Sequence, residues 1–407
     1  MRRLTSNTPS MSACMAILAA LAPLGASAQG DPIRIGIVSA KQGAFAEGGL
    51  AAGNGAKLAV EQAGQGVLGR AIELLWLDEP NPQTAQQNMS KLVSEDKVVG
   101  VIGGSNSASA LAMGAVALRT KVPFIATNAA ARELTGKDCN RYTFRTQLTA
   151  AVGSRSVAPF LLEQGKKWYF LTASYAFGKD IYNSTKPLLL AAQGTEVAYD
   201  QVPIGTTDFS SYILKIRQSK PDVLVAGMGG IDLNNLLKQL PEYGMKDKPV
   251  VSAPVVSDHA MWAVGPEAAG GIYAKHWHYS DPKNTDEEKK FVATWQSRYN
   301  KPPPIEAWQG WMSARMLMAA IQSAKSTESA AIVRSLEKLK MPGEMRGYYR
   351  DWDHQFVYPV LVMKGRAPTG SDKFDMFEIV RRMPAKASDL DALYGDKAEV
   401  GCAMGPL

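Results

Sequence analysis

The sequence is poor in the residues that carry most enzyme and metal chemistry. Its 407 residues include three cysteines and four histidines, with no cysteine–histidine spacing of a structural zinc site. No Gly-x-Ser-x-Gly elbow stands at a strand-to-helix turn, and His259, His276, His278 and His354 offer no recognisable base for a nucleophile. Nucleotide phosphate loops of the GxxxxGK[ST] and GxGxxG kinds are absent, so no cofactor is implied. His276-Trp-His278 places two imidazoles on one strand face, but no third and fourth ligand lie nearby, and packing or hinge contacts are the alternative. The chain reads as a binding protein, and an exported hydrolase is the weakest reading.

Long apolar runs are also scarce. After the first 28 residues nothing approaches the ~18 uninterrupted apolar residues of a membrane span. Residues 1–28 themselves read as an export signal. Arg2 and Arg3 are its positive start, Met11 to Leu24 its apolar run, and Ala26-Ser27-Ala28 its cleavage site. Cys14 lies too early in that run for a lipid anchor. Loss of Arg2 and Arg3 would take the formal net charge of +7 down by two, and what remains is spread along the chain. That distribution describes a solvated surface, not a nucleic-acid-binding one. Cys139 and Cys402 would remain in an oxidising compartment, either as a disulfide tying the tail to the body or as two separate thiols.

What the sequence has is alternation. Strands at Ile33–Ser39, Ile72–Leu77, Val98–Ile102 and Val122–Ala126 are each followed by a loop and a helical pattern, the signature of a parallel sheet with helices on both faces. After Asn140 the plan repeats, with strands at Lys167–Leu171, Glu196–Asp200, Val223–Ala226 and Val250–Ser252. Length and repetition together indicate two α/β lobes. The boundaries are a signal at 1–28, one lobe from 29–147 plus 279–345, and another from 148–278 plus 346–407 with a C-terminal tail.

The stretch Val98–Ala112 organises the first lobe. A buried strand, the turn Gly103-Gly104 and the loop Ser105 to Ser107 open into a helix. Unpaired backbone N–H groups and the helix dipole gather there beside serine hydroxyls, a setting for a carboxylate. Thr127 to Ala131 closes the next strand with small residues, marking a crevice at the carboxyl edge of the sheet. Phe45, Tyr175, Phe177, Trp308 and Trp311 lie in or just after loops at that edge, where each is either pocket wall or core. Phe45 and Phe177 are assigned to the wall and Trp311 to the core, while Trp308 fits either.

The order of these motifs resembles the periplasmic substrate-binding proteins of the leucine–isoleucine–valine-binding type, which serve ABC importers. The residues that carry the resemblance are Ile35-Gly-Ile-Val-Ser39, Asn54-Gly-Ala56, Val101-Ile-Gly-Gly-Ser-Asn-Ser107, Val122-Pro-Phe-Ile125 and Glu133-Leu-Thr135. Tyr175-Ala-Phe-Gly178, Asp208-Phe-Ser210 and Lys220-Pro-Asp-Val223 complete them. The resemblance implies a type I periplasmic binding fold, two doubly wound parallel-sheet lobes joined by a three-segment hinge, with ligand between them. It assigns the ligand carboxylate to Ser107 and to the backbone of Asn128, Ala129 and Ala130, although Ala130 lacks the hydroxyl that amino-acid binders present there. It implies a monomer in the periplasm, partnered by an ABC permease in the inner membrane.

The second lobe departs from the amino-acid binders. Their ammonium-pairing acid is matched by Val255, an aromatic by Gly229 and a tyrosine by Phe177. Enclosing an ammonium without a carboxylate costs on the order of several kcal/mol. The expected ligand is therefore a small carboxylate without an α-amine, an aromatic or short-chain organic acid, unless Asp232 or Asp258 supplies the charge. A branched-chain or other amino-acid receptor is the alternative, and a sensing module docked on a signalling protein is a further one.

Overall fold

A computed structural model describes residues 30–407, apart from 65, 246–248, 267–269 and 342–346, together with Met1 and Leu4. Apart from those two residues, the export signal read at 1–28, Cys14 included, lies outside the described residues.

Two sheets build two lobes. The first holds β1 (Ile33–Val38), β2 (Ile72–Leu77), β3 (Val101–Gly103), β4 (Phe124–Ala126) and β5 (Thr143–Arg145) in the order β2-β1-β3-β4-β5, all parallel. The second holds β6 (Lys167–Ala173), β7 (Thr195–Val202), β8 (Val223–Gly227), β9 (Val250–Ala253) and β10 (Ile272–Lys275) in the order β7-β6-β8-β9-β10, also parallel. Each lobe thus has the same doubly wound order. In each, the chain reverses direction of growth beside its first strand, which opens a crevice at the carboxyl ends of the strands.

The inner strands are short and buried because both faces are covered. In β6 the side chains alternate between two cores: Tyr169 and Leu171 join Leu224 and Ala226 on one face, while Trp168 and Phe170 join Val223 and Val225 on the other. Helix starts follow side-chain caps. Asn81 accepts from Thr84 N–H with Pro82 at the first turn, Asn106 accepts from Ser109 N–H, Thr149 from Val152 N–H, and Thr285 forms a capping box with Glu288.

Two helices of the first lobe, Ala46–Gln62 and Ile305–Ala324, approach to backbone distance. A Cβ on Gly55 would lie 2.0 Å from the Ala307 carbonyl oxygen, and one on Gly310 1.9 Å from that of Ala52. Only glycine allows this contact, and it fixes where the second helix begins relative to the cleft.

The parallel sheet of the second lobe matches the expectation, but the expected lobe boundary at 345/346 does not match the packing. β11 (Tyr348–Tyr349) and β12 (Phe356–Val357) form a separate hairpin, and Tyr349 and Phe356 pack into the first lobe's core. The chain therefore crosses for the third time between Val357 and Val360, two residues whose side chains belong to the second lobe's core while Tyr358 between them packs on the first, and not at 345/346. β13 (Val360–Gly365) and β14 (Phe377–Met383) then add an antiparallel edge to the second sheet. In β14, Arg381 and Arg382 interrupt the apolar pattern, as on many edge strands, which hid it in the sequence.

Beyond β14 the chain returns to the first lobe, where Cys402 is bonded to Cys139. On the way Tyr394 is buried, its hydroxyl 2.5 Å from His276 Nε2 and donating to the Tyr358 carbonyl. Arg350 Nη1 donates to Gly395 O at 2.8 Å. The tail is docked across the hinge. Cys402→Ser is expected to lower unfolding free energy by about 2–4 kcal/mol, the usual value of a cross-link closing a long loop. Denaturant melts of the mature protein check this, with non-reducing peptide mapping to locate the bond.

Candidate functional site

The two crevices face each other. Between them lies a cavity of about 770 Å³, its solvent-open mouth included. Loops after β1, β3 and β4 line it from the first lobe, and loops after β6, β8 and β9 from the second. The lobes touch around it. Ile231 N–H donates to Ala44 O at 3.1 Å, Phe45 meets Tyr175 edge-on at 6.4 Å, and Arg132 pairs with buried Asp180 at 2.5 Å.

Ser107 opens the helix Ser107–Thr120, capped by Asn106. Its Oγ accepts the N–H groups of Ala130 (3.2 Å) and Ala131 (3.1 Å). Both acceptor positions being used, the hydroxyl hydrogen is left to donate into the cavity, where Ser107 is a lining residue. The helix's own first N–H groups point the same way. The loop after β4 behaves differently from the expectation. Asn128 N–H donates to Gly104 O, while the N–H groups of Ala130 and Ala131 are taken up by Ser107 and so orient the serine. Asn128 and Ala130 line the cavity, whereas Ala129 is wholly buried in the first lobe's core.

Behind the serines lies a carboxyl group that sequence reading passed over. Glu79 is buried, with both oxygens 2.9 Å from Ser105 N and Oε1 3.4 Å from Asn106 Nδ2. Burial lifts it to about 8, against the pull of the hydrogen bonds from Ser105 and Ser109. Ser105 in turn accepts from Ala40 N–H at 2.8 Å, so one buried acid joins the loops after β1, β2 and β3.

The apolar wall comes from Phe45 on one side and Phe177, Leu233 and Val255 on the other, with Gly229 beside them. Trp308 is not part of it. It is wholly buried, stacked on Trp277 at 5.9 Å, and donates Nε1–H to Glu288 at 2.9 Å. The residue of this helix that does reach the cavity is Glu306, two positions earlier and so more than half a turn round. The helix begins at Ile305, directly after the run Pro302-Pro303-Pro304, and so carries Glu306 in its first turn.

Trp311, read as core, packs against Phe291 at 4.8 Å. Asp232 accepts from Gly205 N–H, burial raising it to about 6, and Asp258 is tied to Lys275 and His278. Neither aspartate lines the cavity. Nor do the paired imidazoles share a partner: His276 meets Tyr394, and His278 meets Lys275 and Asp258.

A family model described as periplasmic binding protein matches residues 32–371. The chain belongs to this family. It is 25% identical over 311 residues to the Leu/Ile/Val-binding protein BraC3 of Rhizobium johnstonii, covering 75% of this chain and 83% of that one. A periplasmic binding protein from Burkholderia mallei superposes with a TM-score of 0.84 at 26% identity, over 92% of this chain and 99% of the other. A solute-binding protein of an ABC transporter from Rhodopseudomonas palustris, solved with 3,4-dihydroxybenzoic acid, has a TM-score of 0.78 at 22% identity, over 86% and 96%. This periplasmic binding protein thus has the two-lobed α/β fold of its relatives.

The raised Glu79 has a definite consequence for pH. An acid held above its unfolded value contributes stability in its neutral form, fully present below the unfolded value near 4.5 and lost as pH rises through about 8. Glu79→Gln is therefore expected to gain melting temperature relative to wild type as pH rises from 5 to 8 ( gives the sign). Paired thermal scans across that range check it, and parallel curves would place no titration at Glu79.

Proposed function

We propose that this periplasmic binding protein is a receptor that closes on a small carboxylate without an α-amine and presents it to an ABC permease. Residues 1–28 would direct its export. The observation that carries the reading is a contrast within the cavity: a serine hydroxyl and a helix N-terminus on the first lobe, and Val255, Gly229 and the aromatic carbon of Phe177 at the second-lobe positions where the resemblance puts the ammonium-binding groups. An anion is held by the first set, and an apolar or aromatic body fits the second. The fold accommodates such a ligand in the R. palustris protein, which holds 3,4-dihydroxybenzoic acid. Ligand bridging both lobes favours the closed state by its differential affinity, which lets the permease tell loaded from empty.

A second reading is an amino-acid receptor. It is favoured by Glu306, a carboxyl group on the cavity wall, and by the Leu/Ile/Val-binding relatives. Thermal-shift measurements on the mature protein, stripped of carried-over ligand, separate the two. A ligand at ~100 times its dissociation constant stabilises by about 2.7 kcal/mol, and benzoate-type or short organic acids are expected to do so where leucine and valine do not. Ser107→Ala is expected to weaken binding by about 1.5–3 kcal/mol, the range for a hydrogen bond to a charged group. Calorimetric titration checks it; unchanged affinity would remove Ser107 from the site.

A further inference from the structure

One end of the cavity carries polar atoms that the carboxylate reading does not use. Asn128 Oδ1, Glu306 Oε2 and His259 Nε2 are each buried, and each lacks a hydrogen-bond partner among the described residues. All three side chains line the same cavity. Asn128 and Glu306 meet over Gly48, where a Cβ would lie 3.3 Å from Asn128 Nδ2 and 3.3 Å from Glu306 Cγ. His259 approaches from the second lobe, Nδ1 3.9 Å from Glu47 Oε2 across the cleft, with Ser257 beside Glu306. Buried polar atoms of this kind are normally paired, so three in one cavity wall indicate a group that the ligand brings.

We propose that Asn128, Glu306 and His259 form a second polar subsite that reads a hydroxyl on the ligand, making the ligand class a hydroxylated organic acid. The assignment rests on the carboxylate reading above. Asn128 Oδ1 only accepts, so the incoming group must donate. His259 Nε2 takes either role with its tautomer, and Glu306 accepts when ionised and donates when protonated. A hydroxyl is the smallest group that donates once and accepts at the same time, and it satisfies this set without bringing a charge. An ammonium only donates, and would need Glu306 fully ionised. Burial holds Glu306 above the usual carboxylate range, opposed by His259 and by a side-chain hydrogen bond with Ser257 that leaves Oε2 unpartnered, so the neutral partner suits it better.

Because Asn128 and Glu306 belong to the first lobe and His259 to the second, the hydroxyl also bridges the cleft. It would then contribute to closure as well as selection. A site built to hydrogen-bond a hydroxyl discriminates strongly against the analogue lacking it, because its own polar groups are left unpaired.

Calorimetric titration of the mature, ligand-stripped protein tests this with matched pairs: benzoate against 3- and 4-hydroxybenzoate, and hexanoate against 6-hydroxyhexanoate, with leucine and 4-(aminomethyl)benzoate as amine arms. At least one hydroxy acid is expected to bind roughly tenfold or more tighter than its deoxy partner. In Glu306→Leu and His259→Phe that ratio is expected to fall towards one. Glu306→Gln, which keeps the shape and a donor–acceptor pair, should retain part of it, and melts of each variant establish that it is folded. Equal binding within every pair, or a preference that survives Glu306→Leu, overturns the subsite while leaving the carboxylate reading standing. A Glu306-dependent gain confined to the amine arms reassigns the group as an ammonium and overturns the hydroxyl. Failure of every acid to bind overturns the carboxylate reading itself.

Discussion

Asp258 is the charge on which the arrangement of the lobes depends. It is buried in the second lobe, bonded to Lys275 and within 3.4 Å of His278, and its other oxygen accepts Ile305 N–H at 2.7 Å from the first lobe. Burial alone would raise its carboxyl, but Lys275 and His278 outweigh that and hold it below the usual range. A buried pair of this kind gains little over apolar packing, yet removing one partner costs on the order of 3–5 kcal/mol. Its value here is geometric. The Ile305 N–H is one of the unpaired donors at the start of the helix Ile305–Ala324, so the second lobe's carboxylate caps a first-lobe helix. The close backbone contact of that helix with Ala46–Gln62 then sets its depth, and Glu306 follows into the cavity.

The hinge is organised by the same economy of hydrogen bonds. Where the chain leaves the first lobe, Arg145 N–H donates to His354 O, and Gln355 Nε2 donates to Gln147 O. Two crossings therefore run side by side, and their polar groups satisfy each other without a sheet. Arg145 is wholly buried, with Gln355, Ala131 and Thr135 as its acceptors. The docked tail covers this region, and Cys402 fastens it to Cys139. The closure proposed above would act at these short segments, whose ends are held.

Much of the site was legible along the chain because strand ends in doubly wound sheets carry ligands, and strand ends are local features. Ser107, Phe45 and Phe177 all sit within a few residues of an apolar run that terminates in small or polar residues, whereas Gly229 and Val255 came from the family resemblance; all five line the cavity. Glu306 and His259 gave no comparable signal. An acid in the first turn of a helix is ordinary dipole complementation, and a histidine after a serine cap is ordinary surface chemistry. Only the pairing of the lobes turns both towards one space. Trp308 shows the converse: an aromatic near the cleft in sequence, turned away from it by two residues of helical rotation.

Periodicity and order thus determined the α/β class, the two lobes and the serine-bearing helix start, because hydrophobic alternation and helix entry are set by neighbours within a few residues. Tertiary structure decided the rest. The third crossing, the antiparallel edge of the second sheet, the engagement of the Ala130 and Ala131 backbone with Ser107 and the burial of Glu79 behind Ser105 all depend on residues that meet across the fold. Such meetings leave no pattern in one segment. They arise where burial forces each polar group to find a partner, and the partner is wherever the fold has placed one.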